Sequence, residues 1–313
     1  MKGPVETYRG KVRSVDLGCL TTGGGEAFPL HYFDGELPNP TRVCFEVWDV
    51  APAEWSPELA DVYGDVYDDA ISWARRVASF GADAVYLRLK SADPHGAAQA
   101  DEDVARGARR IVDAAGLPAF VMGCGDADTD RRLQPLVARE LDGRRVVLGN
   151  ADKDTYRDIG RAAAEHGHAV VAYTPMDVSL AKQLNVLLGQ AGTSDVDIVM
   201  DPTCSALGYS FEYAYTVFER DRLAALAQND AKMQVPLLAN VGQETWQVKE
   251  SRASEEELSG HCDRRTRGIL WESLTALCLV LAGADLVVVR HPESARLLRA
   301  AVGALGERTD AWR

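Results

Sequence analysis

The chain has 313 residues, 46% of them hydrophobic and 26% charged, the make-up of a globular protein with a full core. A formal net charge of −13, with no run of clustered Lys or Arg, argues against nucleic acid as a partner. The most apolar stretch, 274–289, is broken by Gly283 and Asp285 and is too short to span a bilayer, so no membrane segment is expected.

Residues 1–40 stand outside the later pattern. They open MKGPVETYRG, without the apolar segment of a secretory signal, which reads as a cytoplasmic protein. Apolar residues alternate weakly at Val12, Val15 and Leu17 before the triplet Gly23-Gly24-Gly25. Glu26-Ala27-Phe28-Pro29 follows, so no helix N-terminus is there to cradle a phosphate. A hairpin turn at the glycines is the better reading. This N-terminal arm is expected to cover the N-terminal end of the main body or to meet a partner.

Eight short apolar runs rich in β-branched residues occupy 41–313: 42–49, 83–89, 118–124, 145–151, 169–175, 197–203, 236–242 and 285–292. Near-continuous apolar runs of this kind belong to strands buried on both faces of a parallel sheet. Amphipathic segments such as DDAISWARRVASFGAD separate them, and Gly81, Gly116, Gly167 and Gly283 close several of these helices. Eight βα units predict an α/β fold, a (β/α)8 TIM barrel with an N-terminal β-hairpin-like arm. A doubly wound open sheet competes, but no GxGxxG follows the first strand. No Pro-, Gly- or Ser-rich linker divides 41–313, which reads as one barrel domain. After the seventh run, GQETWQVKESRASEEELSGHCD has an acidic middle and reads as a solvated loop on the face where barrels carry function.

The six cysteines, Cys19, Cys44, Cys124, Cys204, Cys262 and Cys278, form no CxxC pair. Free thiols are expected, with no zinc site or iron–sulfur cluster held by this chain alone.

The strand ends name the candidate site. They supply Glu46, Asp49, Arg88, Lys90, Cys124, Asn150, Asp152, Thr174, Asp177, Asp201, Thr203, Asn240, Gln243, Arg290 and His291. Asp177 and Asp201 follow adjacent strands, yet each precedes a helix and is as well explained as its cap. His291 has no evident nucleophile beside it and precedes Pro292, which favours a structural role. His166 and His168 have metal-like spacing but fall on the opposite, stability face. Lys90 and Lys182 have no sign of the apolar pocket that activates a lysine. What dominates is neutral and polar: Asn150, Thr174, Thr203, Asn240 and Gln243. Such a rim suits a large neutral ligand presenting amides, or a pterin ring read by hydrogen bonds.

The ordered stretches GGGEAFPLHYFDGELPNP, CFEVWDV, ADAVYLRLK, VVLGNADKDTY, GHAVVAYTPMDVSLAKQLNVLL, IVMDPTCSALGYSFEYAYTVFERDRLAAL and RGILWESLTALCLVLAGADLVVVRHPE run from about residue 20 to about 300. Together they resemble the small (delta) subunit of the corrinoid iron–sulfur protein of the acetyl-CoA synthase/CO dehydrogenase pathway. The resemblance implies a non-catalytic barrel subunit paired with a large corrinoid and iron–sulfur subunit, capping a cobalamin shared between the two. It implies that a methyl group from methyltetrahydrofolate arrives through a separate methyltransferase and leaves to acetyl-CoA synthase. The residues it assigns to the cofactor or the interface around it are Asn150, Thr174, Asp201, Thr203, Asn240 and Gln243, with Gly208 and Tyr209 shaping the loop. The chain also looks like the methyltetrahydrofolate methyltransferases, whose pterin-reading positions have counterparts at Asn150, Asp201 and Asn240. Their strand-two acid has none, because Tyr86 and Arg88 stand there instead.

Overall fold

The computed structural model describes residues 5–258, 260 and 262–306. It opens with an antiparallel hairpin, β1 (Ser14–Asp16) and β2 (Thr21–Gly23). All eight apolar runs then form parallel strands: β3 (Arg42–Trp48), β4 (Ala84–Arg88), β5 (Ala119–Met122), β6 (Val147–Ala151), β7 (Ala169–Tyr173), β8 (Ile198–Asp201), β9 (Leu238–Asn240) and β10 (Leu286–Val289). They pair in the order β8-β7-β6-β5-β4-β3-β10-β9, and a parallel bridge from Met200 to Leu237 brings the two ends together. The sheet is therefore a barrel rather than a doubly wound sheet.

Helices fill the connections: α1 (Pro57–Tyr63), α2 (Ala70–Ser79), α3 (Asp101–Ala115), α4 (Ala127–Glu140), α5 (Tyr156–His166), α6 (Val178–Gln190), α7 (Phe211–Leu226), α8 (Val241–Thr245), α9 (Lys249–Arg252), α10 (Arg264–Ala282) and α11 (Pro292–Gly306). Gly116 and Gly167 end α3 and α5 in the left-handed conformation, as a C-cap requires.

The strands read as continuous apolar runs because each feeds two cores. One set of residues, among them Tyr86, Phe120, Met122, Val171 and Val288, fills the barrel interior. The alternate set, among them Phe45, Leu87, Val121, Leu148 and Val287, packs against the helices.

The hairpin plugs the N-terminal end of the barrel. Val15 and Leu17 are fully buried and join the interior cluster. Arg145, before β6, donates from Nε to the Asp16 carbonyl at 2.8 Å, and Arg42 donates to the Thr21 carbonyl at 3.1 Å. The glycine triplet is not the hairpin's turn, contrary to the sequence expectation. The chain reverses between Leu17 and Leu20, whose backbone N–H and C=O meet at 2.7 Å. The triplet instead leaves β2 through a close approach: a Cβ on Gly23 would lie 2.4 Å from the Arg13 carbonyl oxygen.

The long segment after β9 also departs from expectation. It is a solvated loop only in part, with Glu255 to Glu257 exposed. Trp246, Val248 and Ala253 are buried beneath it, and Arg267 ties it down through the Glu250 carbonyl at 3.0 Å and the Cys262 carbonyl at 2.6 Å.

Candidate functional site

At the C-terminal ends of β4, β6, β8 and β9, side chains converge on a cavity of about 190 Å³. Asp201, the last residue of β8, faces it and is 3% exposed. Its Oδ1 accepts the Thr203 N–H at 2.9 Å. It caps no helix, since α7 begins only at Phe211. Burial pushes its carboxyl up to about 7, with Glu244 adding to the rise while the Thr203 N–H and Arg88 oppose it.

The loop after β8 is held tightly. Thr203 has a φ of 64°, the left-handed region that a β-branched residue rarely enters. Its Oγ1 donates to the Thr174 carbonyl at 2.7 Å, and the Thr174 N–H donates to the Asp201 carbonyl at 3.0 Å. Thr174 is thus a buried brace behind the mouth rather than part of its lining.

Asn150 sits where β6 shifts register between Leu148 and Ala151. Gln134 supports that break by donating Nε2 to the Gly149 carbonyl at 2.8 Å. The Asn150 Oδ1 is a buried acceptor with no partner. Asn240 caps α8 and lies 3.5 Å from Gln243, Nδ2 to Oε1; that same Gln243 oxygen accepts from Arg88 Nη1. Asn150, Asp201, Thr203, Asn240 and Gln243 therefore share one cavity. Gly208 and Tyr209 do not line it. The Tyr209 hydroxyl donates to Glu250 at 2.7 Å and accepts the Lys249 N–H at 3.1 Å, which joins the loop before α7 to α9 on the outer rim.

Several charged rim residues serve the framework. Glu46 is fully buried; burial works against its charge, but Arg290 and Arg88 overcome it and hold its pKa below the ordinary value. Arg290 also stacks on Trp55, 4.4 Å from the ring centre. His291 is structural, as expected: it lies against Trp246, and burial lowers its pKa to about 4. Asp177 caps α6 by accepting the N–H groups of Ser179 and Leu180 at 2.8 and 2.9 Å. Lys182 pairs with Asp230, and His168 bonds the Ala138 carbonyl. Lys90 differs from expectation. Its Nζ donates to the Cys124 carbonyl, and burial followed by repulsion from Arg88 lowers its pKa.

Sequence reasoning missed Asp130 and Glu244, both of which line the cavity. Asp130 reaches back from α4 to accept the N–H groups of Cys124 and Gly125 at 2.8 and 3.0 Å. The sequence signal is Gly123: a Cβ there would stand 2.2 Å from the Asp130 carboxylate. Cys204 also lines the cavity, but burial raises its thiol well above the ordinary value, which disfavours a thiolate nucleophile. Among the described residues, no group of three or more His, Cys, Asp or Glu could hold a metal ion, and no helix is long and apolar enough to cross a membrane.

The class defined by this fold and mouth is a (β/α)8 barrel whose cavity is lined by amides, an arginine and the carboxyls of Asp130, Asp152, Asp201 and Glu244. The chain belongs to the CO dehydrogenase/acetyl-CoA synthase delta subunit family (CdhD), which it matches over residues 19–301. It is 34% identical to the acetyl-CoA decarbonylase/synthase complex subunit delta of Methanothermobacter thermautotrophicus, with 95% of this chain and 76% of that one covered. The subunit of the same name from Archaeoglobus fulgidus is 32% identical, with 96% and 70% covered. Among solved structures, dihydropteroate synthase from Thermus thermophilus in complex with 4-aminobenzoate superposes with a TM-score of 0.56 at 17% identity, covering 88% of this chain and 96% of that one. The Xanthomonas albilineans enzyme with 4-aminobenzoic acid gives 0.57 at 14% identity, covering 93% and 96%. At such identities these two speak for the barrel fold alone.

Proposed function

We propose that this chain is the small subunit of a heterodimeric corrinoid iron–sulfur methyl carrier, and that its barrel mouth caps a cobalamin shared with the large subunit. A methyl group would pass from methyltetrahydrofolate, through a separate methyltransferase, to acetyl-CoA synthase. When bound, a corrinoid would supply the cobalt chemistry of methyl transfer. The chain's own residues bind, orient and exclude water. Asn150, Asp201, Thr203, Asn240 and Gln243 would meet the amide-bearing edge of the ring, with Thr174 bracing them from behind.

The observation that carries this reading is the unpartnered Asn150 Oδ1 in a cavity of about 190 Å³ that it shares with Thr203, Asn240 and Gln243. A buried acceptor left without a partner costs about 1–3 kcal/mol, so a ligand N–H is favoured there. Clefts that enclose a drug-sized molecule hold roughly 300–1,000 Å³. A macrocycle would thus be covered by this mouth rather than enclosed in it. Replacing Asn150, Asp201 and Asn240 together by Ala in the co-purified heterodimer should lower corrinoid occupancy, read from its visible absorbance; full occupancy would overturn the reading.

A second reading is a methyltetrahydrofolate-dependent methyltransferase with the pterin in its own barrel. The convergence of Asn150, Asp201 and Asn240 on one cavity favours it, and Arg88 in place of an acid on β4 counts against it. Tight calorimetric binding of methyltetrahydrofolate to this chain alone would select the second reading over the first.

A further inference from the structure

Helix α10 lacks what an outer helix of a barrel ordinarily carries. Such a helix shows water a charged or polar face. The outward side of α3, with Glu102, Asp103, Arg106 and Arg110, follows that rule. Between residues 266 and 284 the only charged side chains are Arg267 and Glu272, and both are buried. The outward positions are apolar instead. Leu270 is 39% exposed and Leu274 49%, and Leu277, Cys278 and Leu281 continue the line half-buried. This spacing traces one face of the helix from its rim end to its far end.

The stripe is continuous with the mouth. Trp271 donates from Nε1 to the Leu207 carbonyl at 2.9 Å, so the head of α10 is tied to the loop that follows Asp201. On the flank, α7 packs against α10.

We infer that this face of α10 is a docking surface for the corrinoid-bearing large subunit, an inference that rests on the function proposed above. Where it meets the stripe, the partner's surface would be apolar and uncharged. The area argues for this occupant. An α-helix of 19 residues is about 28 Å long, and a face about 10 Å wide offers roughly 300 Å². A stable interface needs roughly 800 Å² from each partner. The stripe is then the core of a larger contact, and the neighbouring surface continuous with it is the rim around the mouth. Two copies of this chain joined stripe to stripe would supply only about 600 Å² in total and oppose two surfaces of net charge −13. A different subunit that also covers the mouth would bury the stripe and the rim together, which meets the area condition.

The test is association of the purified large subunit with L270D/L274D, followed by sedimentation. Both leucines are substantially exposed, so an unchanged thermal melt confirms the fold, and Val196→Asp at the opposite end of the barrel (48% exposed) serves as control. Affinity should fall at least 100-fold in the double variant and stay unchanged in the control. Wild-type affinity in the double variant would overturn the docking surface and leave the proposed function standing. A wild-type dimer of this chain alone, abolished by L270D/L274D, would also overturn it in favour of a second copy. If the wild-type chain fails to associate with the large subunit at all, the proposed function itself falls, and the docking surface with it.

Discussion

Glu46 on the first barrel strand and Arg290 just beyond the last form a buried ion pair, Oε2 to Nε at 2.7 Å, across the seam where β3 meets β10. Both side chains are almost wholly shielded, 0% and 3% exposed. The pair is hydrogen-bonded further: Trp48 Nε1 donates to the other Glu46 oxygen at 2.7 Å. Two residues far apart in sequence thus neutralise each other beside the candidate site, which removes Glu46 from the list of available acids.

Breaking that pair should be costly, because the remaining charge is left buried without a counter-charge. Glu46→Ala is expected to destabilise the fold by about 3–5 kcal/mol in urea denaturation. Replacing both partners with apolar residues, as in Glu46→Leu with Arg290→Met, should recover much of the loss.

Asp201 and Asp221 give stability a pH dependence opposite to that of a salt-bridged acid. Burial raises both to about 7, against an ordinary value of 3.8, and neither Asp221 oxygen has a hydrogen-bond partner. Between pH 4 and 7 the folded state then holds more protons than the unfolded state, so stability falls as pH rises. Each group contributes a slope of up to about 1.4 kcal/mol per pH unit. Asp221→Asn should remove its share and raise stability at pH 8, with little gain at pH 4. Denaturant titrations at the two pH values check this.

His291 works in the other direction. Its folded value of about 4 lies below the ordinary 6.5, so the unfolded chain takes up the proton first as pH falls. Stability from this group is complete above pH 6.5 and is lost towards pH 4. His291→Gln should flatten that part of the profile, and NMR titration of the imidazole in the wild type should show no protonation at pH 5.5.

The hairpin plug should behave as core. Leu17 is 1% exposed within the barrel interior cluster. Leu17→Ala is expected to cost about 2–5 kcal/mol, the range for a large-to-small change at a buried site. A loss below about 1 kcal/mol by thermal denaturation would mean that the hairpin does not seal the barrel.

All eight barrel strands were legible because each feeds two apolar cores and so reads as an unbroken run, as in Val85 to Leu87 or Val287 to Val289. The cap at Asp177 was legible because capping is local, settled by N–H groups two and three residues away. The mouth was legible in part. Asn150, Asp201 and Asn240 stand at strand ends, where the barrel rule alone brings them together. Asp130 and Glu244 lie within helices, and beyond the glycine at 123 that leaves Asp130 its room, nothing local marks which turn of a helix will face the cavity.

Sequence alone determined the alternation of strand and helix, the barrel class, the arm that precedes it and the polar character of the rim. These depend on periodicity and on short-range backbone preferences, which a linear pattern carries in full. Tertiary structure decided which rim charges are spent in pairs, such as Glu46 with Arg290, and which stay available, such as Asp201. It also decided that Leu274 on α10 faces outward without a charged neighbour on its helix face. Both outcomes rest on burial and on contacts between distant segments, and desolvation acts only once those segments have packed.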